Sequence, residues 1–129
     1  MWDYVGMSRN EEGLKKAVSM IREIREQFRK DVIVPGELNN FNPELEKAGR
    51  LADFFDIGEL MAMDALERRE SCGGHFREES VTEDGETRRH DDEFTSVFCW
   101  EYKGEGEEPV LHREELVFEN VKLTQRSYK

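Results

Sequence analysis

The sequence predicts a mainly α protein: an antiparallel helical bundle, with helices over about residues 10–30 and 43–70, then an irregular loop and a two-stranded β ribbon. Three observations predict it. Apolar residues recur at three- and four-residue steps through both long stretches. Paired glycines, Gly73 and Gly74, stop the second stretch. Beyond them the apolar period shortens to two. A chain of 129 residues accommodates this as one domain, with the helices in 1–74 and the loop and ribbon in 75–129.

The first helix opens on Ser8 and Glu11, spaced as a capping box in which hydroxyl and carboxylate each satisfy a free backbone N–H. Leu14, Ala17, Val18, Ile21, Ile24 and Phe28 form its apolar stripe. Glu11–Lys15, Glu12–Lys16 and Glu26–Lys30 are favourable pairs one turn apart, and acids lead while bases close, as the helix dipole prefers. Pro35-Gly36 and Asn39-Asn40 turn the chain. Asn42-Pro43 starts the second helix, with Asn as cap and Pro in the first helical position. Its stripe runs through Leu45, Ala48, Leu51, Ala52 and Phe55 to Ala62, Ala65 and Leu66. Gly58 in its middle predicts a kink or a close helix contact, because glycine costs roughly 1 kcal/mol there relative to Ala. A short connection packs two such helices as an antiparallel pair.

Residues 75–93 are polar and acidic, with a turn signal at Asp84-Gly85, and predict an exposed excursion. Thr95–Tyr102 alternates, placing Phe98, Trp100 and Tyr102 on one side and Val97 and Cys99 on the other. After the Gly104-Glu105-Gly106 loop, Leu116–Leu123 predicts the second strand, with Val117, Val121 and Leu123 on one face. Two strands alone are marginal, so the ribbon is expected to lie against the helices or a partner.

Composition narrows the function. With 19 basic and 30 acidic residues the net charge is −11, which disfavours nucleic acid and anionic membrane, both of which require clustered Lys and Arg. The chain has no apolar run of about 18 residues and no signal-peptide pattern. Its two cysteines, Cys72 and Cys99, make no disulfide framework and point to a reducing cytoplasm. The glycines form neither a dinucleotide fingerprint nor a Walker loop, and no nucleophile elbow is present. Cys72-x-x-His75 is half a zinc ligand set, but Cys99, His90 and His112 complete it at unhelpful spacings. The ordinary reading is a small residue in a helix-ending turn and a histidine making a local hydrogen bond. The acidic stretch lacks a calcium-loop pattern. Phe54 and Met61, seven apart, share a helix face that reads as core or docking surface. Lys15, Arg22 and Arg29, also seven apart, read as solvated or partner-facing.

Several segments carry a family resemblance in order. They are Met1-Trp2-Asp3-Tyr4-Val5-Gly6-Met7 with Arg9-Asn10-Glu11-Glu12; Asn42-Pro43-Glu44-Leu45; and Arg69-Glu70-Ser71-Cys72-Gly73-Gly74-His75-Phe76-Arg77-Glu78-Glu79 with Asp91-Asp92. The ending, Phe118 to Tyr128, belongs with them. Together they resemble the C-terminal helical domain of succinate dehydrogenase and fumarate reductase flavoprotein subunits, whose pattern is close to E-S-R-G-A-H-x-R-x-D, then R-D-D. Here Cys72 replaces Arg, Gly74 replaces Ala, Glu79 replaces Asp, and His90 precedes the paired aspartates. Aspartate oxidases share parts of the motif.

The resemblance implies a parent subunit that interconverts succinate and fumarate with FAD, passing electrons through an iron–sulfur subunit to membrane quinone. Such a parent lies peripherally on the cytoplasmic membrane face, reaching the membrane anchor only indirectly. The family's flavin and substrate residues have no counterparts in this sequence, so no catalytic, cofactor-binding or metal residue is assigned. The expected role is packing on the flavin-binding domain and docking the iron–sulfur subunit, with His75, Arg77, Asp91 and Asp92 as candidate docking residues. The alternative for these four is that they hold the loop to its own helices. The alternatives for the whole chain are a free-standing interaction module or the equivalent domain of an aspartate oxidase.

Overall fold

The computed structural model describes residues 1–104, 106–125 and 127. Glu105 of the predicted glycine loop, and Arg126 and Tyr128 of the ending that carries the resemblance, lie outside the described residues. The chain forms two compact units, Met1–Glu67 and Arg68–Lys129.

The first unit is an antiparallel helix pair. Helix α1 spans Glu11–Asp31 and α2 spans Pro43–Glu67. The cap of α1 is Asn10 rather than the expected Ser8: the Asn10 side chain accepts a 2.8 Å hydrogen bond from Gly13 N. Asn10 offers the same reach to the third residue on, and its carbonyl already accepts from Leu14 N. Asn42 caps α2 as expected, its Oδ1 accepting from Glu44 N and Leu45 N while its Nδ2 donates to Pro35 O across the connecting loop. Among the charge pairs, Glu11–Lys15 forms, Lys16 lies over the Tyr4 ring at 4.9 Å, and Glu26 meets Arg29 at 3.7 Å.

Cross-helix contacts set the antiparallel register. Leu14, Ala17, Ala62 and Ala65 make the core with Val5, and Leu14 is 0% exposed. Further along, Arg22 and Arg25 reach Glu59, and Phe28 meets Phe55 at 5.4 Å between ring centres. α2 runs through Gly58 without a break. The glycine serves close contact instead: a Cβ there would lie 3.4 Å from Met1 Sδ and 3.8 Å from Ile21 Cδ1. The first half of the α2 stripe is unburied, with Leu45, Leu51 and Ala52 all exposed.

The second unit contains a single-turn helix α3, Asp91–Phe94, and the antiparallel strands β1, Ser96–Glu101, and β2, Val110–Glu115. β1 alternates as expected, with Phe98 and Trp100 turned inward and Val97 and Cys99 exposed. The second strand is not Leu116–Leu123 but the preceding Val110–Glu115. Its register pairs Phe98 with Arg113 and Trp100 with Leu111. The ladder closes where Leu116 N donates to Thr95 O, and the segment after it joins no ladder among the described residues. Val117 there is 83% exposed. Phe98 is held between two guanidinium groups, Arg68 at 4.1 Å and Arg113 at 4.8 Å, and also meets Phe94 at 6.2 Å.

Candidate functional site

The candidate residues converge on one loop, 68–95, where the chain leaves the helical period. α2 ends at Glu67, three residues earlier than expected, because the following backbone bonds within this loop: Ser71 N donates to Arg88 O at 2.8 Å. Cys72 and His75 exchange both backbone hydrogen bonds in a tight reversal, with Gly73 at φ +58°, a conformation glycine adopts without strain. A second reversal brackets Gly85, where Thr82 N donates to Glu86 O and Gly85 N to Thr82 O.

The excursion is exposed along its acidic side chains Glu78, Glu79, Glu83 and Asp84, as expected, but it is anchored by buried polar groups. Glu70, Ser71, Arg77 and Ser80 are all buried. The Ser71 hydroxyl donates to Arg77 O at 3.1 Å and accepts from Arg77 N at 2.9 Å. Ser80 Oγ donates to Arg69 O at 2.8 Å, and Arg88 N donates to Ser80 O. The Glu70 carboxylate accepts from Arg68 Nη1 at 2.9 Å and from His90 N at 3.0 Å. Arg68 continues to Phe94 O and Ser96 O. Such closure is what makes burial of polar groups affordable, since each unmet donor or acceptor would cost roughly 1–3 kcal/mol.

The four candidates occupy different depths of this loop. His75 Nε2 lies 2.8 Å from Arg68 O and, facing a carbonyl, donates to it. Arg77 is buried and its Nε donates to Glu79 Oε2 at 3.1 Å. Asp91 accepts both arms of a fork from Arg89, at 2.8 and 2.7 Å. That guanidinium holds the Asp91 carboxyl below the usual carboxylate range. Asp92 stands exposed beside it on α3. Arg68, Glu70, Ser71 and Ser80 hold the loop together; Glu70 and Ser71 belong to the motif that carries the resemblance but are not among the four candidates, and Arg68 and Ser80 lie outside it.

Among the described residues no group of three or more His, Cys, Asp or Glu is placed to hold a metal ion. Two surface depressions are present. One lies along α1 between Arg22 and Asp31, and the other is lined by residues 88–93. Charged side chains dominate both linings, and neither contains the glycine-rich turn that a flavin's pyrophosphate needs. FAD does not fit these surfaces. No helix is long and apolar enough to cross a membrane among the described residues.

Known proteins match this chain along its length. A family model described as the C-terminal part of fumarate reductase flavoprotein covers residues 1–128. An uncharacterized FAD-dependent oxidoreductase of Methanocaldococcus jannaschii is 39% identical over 79 residues, which is 61% of this chain and 14% of that protein. A mutant Escherichia coli quinol fumarate reductase FrdA is structurally similar with a TM-score of 0.81 at 23% identity, covering 97% of this chain and 20% of its own. Mycobacterium smegmatis Sdh1 in complex with UQ1 is similar at TM-score 0.74 and 24% identity, covering 89% of this chain and 18% of its own. A quinol-fumarate reductase with menaquinol molecules gives 0.73 at 25% identity, over 90% and 19%. The chain therefore spans between 14% and 20% of the length of these proteins. The FrdA and Sdh1 likenesses establish fold alone, whereas the family model covers nearly every residue: the chain belongs to the fumarate reductase flavoprotein C-terminal family.

Proposed function

We propose that this chain is the non-catalytic C-terminal helical domain of a flavoprotein subunit that interconverts succinate and fumarate. FAD is held elsewhere in that subunit, and electrons leave through an iron–sulfur subunit for membrane quinone, on the cytoplasmic face. The domain packs on the flavin-binding domain and helps to dock the iron–sulfur subunit. The observation that carries this reading is the family match over residues 1–128.

The loop geometry divides the docking role between two kinds of residue. We read His75 and Arg77 as positioning residues, because His75 bonds Arg68 O and Arg77 bonds Glu79 within the loop. Asp91 and Asp92 form its outer acidic edge, with Asp91 oriented by Arg89 and Asp92 turned to solvent. The exposed Asp92 carboxylate suits a charge-assisted contact to a basic rim on the partner, with the Arg89–Asp91 fork fixing the turn that carries it.

The test uses the flavoprotein subunit that contains this domain, co-expressed with its iron–sulfur subunit. Asp92→Asn leaves folding intact because the side chain is exposed, and is expected to reduce co-purification of the iron–sulfur subunit while flavin content stays constant. Arg77→Ala is expected to impair assembly through the loop. Unchanged assembly in both variants refutes docking by this loop.

A further inference from the structure

Helix α2 carries a second apolar face. Its core-facing side holds Phe55, Gly58, Ala62 and Ala65. About a quarter of a turn away around the helix, Phe54, Ile57 and Met61 line up at one-turn spacing, 63%, 54% and 50% exposed. The two sets together make an apolar arc wider than the side that packs on α1, which leaves its outer part open to a second cover.

The exposed area is in keeping with a missing cover. The chain exposes 10027 Å² at a mass of 15.2 kDa. A compact monomer of that mass exposes about 7,100 Å², and two separate compact bodies of half the mass about 8,500 Å² together. The surplus even over the second figure is on the order of 1,500 Å², to which this face contributes along with Trp2, Ile33, Phe41 and Val117.

We infer that the Phe54–Ile57–Met61 face is the seat of the remaining flavoprotein polypeptide, covered permanently within one subunit. This rests on the domain reading proposed above. Two observations select that occupant over a second copy of the chain. The matched proteins are about five times longer than the segment they share with this chain, so they carry ample polypeptide to cover it. The face is also flanked by Asp53 and Asp64 on a chain of net charge −11. A two-fold contact would set that acidic flank against itself, at a cost in like-charge repulsion. The seat is therefore apolar at its centre with basic groups at its edge.

The test is thiol accessibility in the native flavoprotein subunit. In a background carrying Cys72→Ser and Cys99→Ser, Ile57→Cys is compared with Glu12→Cys, which lies on the solvent side of α1. Maleimide is expected to label the Ile57→Cys variant at least tenfold more slowly than the Glu12→Cys variant, with the two rates converging in urea. Equal native rates in a flavin-containing subunit overturn the assignment of this face and leave the domain reading standing. A flavin-free product of 15.2 kDa overturns the domain reading and this inference with it. Slow labelling confined to a flavin-free dimer assigns the face to a second copy and likewise overturns the inference.

Discussion

Replacing Glu59 by Ala removes the ionic clasp between the two long helices. Glu59 is 8% exposed and accepts from Arg22 Nε at 2.5 Å and Arg25 Nη1 at 2.6 Å. Breaking a fully buried pair by deleting one partner costs about 3–5 kcal/mol, mostly because the surviving charge is stranded. Two features reduce that here. The Arg22 side chain is 39% exposed and rehydrates, while Arg25 keeps Asp56 at 3.1 Å. A third works the other way: Arg25 Nε is buried with no partner among the described residues, so this guanidinium does not simply swing into water. The expected loss is about 2–3 kcal/mol, or roughly 8–12 °C in melting temperature for a chain of this size. Glu59→Gln keeps an acceptor without the charge and is expected to lose about half as much. Urea unfolding followed by far-UV circular dichroism measures both. A double-mutant cycle with Arg22→Ala is expected to return a coupling of about 1 kcal/mol or more. A loss below about 0.5 kcal/mol in Glu59→Ala, the size of an ordinary surface change, refutes the clasp.

Phe98→Ala removes the ring held between Arg68 and Arg113 and against Phe94, and is expected to cost about 3 kcal/mol, read by chemical denaturation with the ribbon's backbone amides as probes. Gly73→Ala forces a side chain into φ +58°, with no neighbouring atom in the way, so the expected cost is the backbone strain alone, about 1 kcal/mol. The Arg89–Asp91 fork contributes pH-dependent stability. Because the folded carboxyl lies below its usual range, the contribution is complete above the ordinary carboxylate value near 4 and vanishes as pH falls through the lower folded value. Arg89→Ala is expected to return the Asp91 titration upward, seen by carboxyl NMR, and to flatten the acid limb of the stability curve.

The helices were readable because periodicity and capping are local. Leu14, Ala17 and Ile21 announce the buried face of α1, and Asn42-Pro43 announces the start of α2. The cap of α1 was misplaced by two residues because Ser8 and Asn10 both carry capping chemistry, and only the backbone course decides between them. The second strand was missed for a different reason. Val110–Glu115 has no apolar–polar alternation, running from Val-Leu into His-Arg-Glu-Glu, and its membership depends on the partner opposite: Arg113 is a strand residue here because Phe98 faces it. Leu116–Leu123 has the more hydrophobic alternation, yet it joins no ladder among the described residues. The candidate loop was located through its motif, but its interior was not. Ser71 and Ser80 are indistinguishable in sequence from exposed turn serines until the carbonyls they bond are brought to them.

The buried polar loop has a thermal consequence for the domain. Apolar surface exposed on unfolding raises heat capacity, while polar surface lowers it. The helix pair, whose core is Leu14, Ala17, Ala62 and Ala65, therefore has a curved stability profile that weakens on cooling as well as on heating. Glu70, Ser71, Arg77 and Ser80 expose mainly polar atoms when their loop opens, so its profile is flatter and the loop gains on the helices in the cold. Low temperature should loosen the helix pair first, with 68–95 as the segment that keeps its shape.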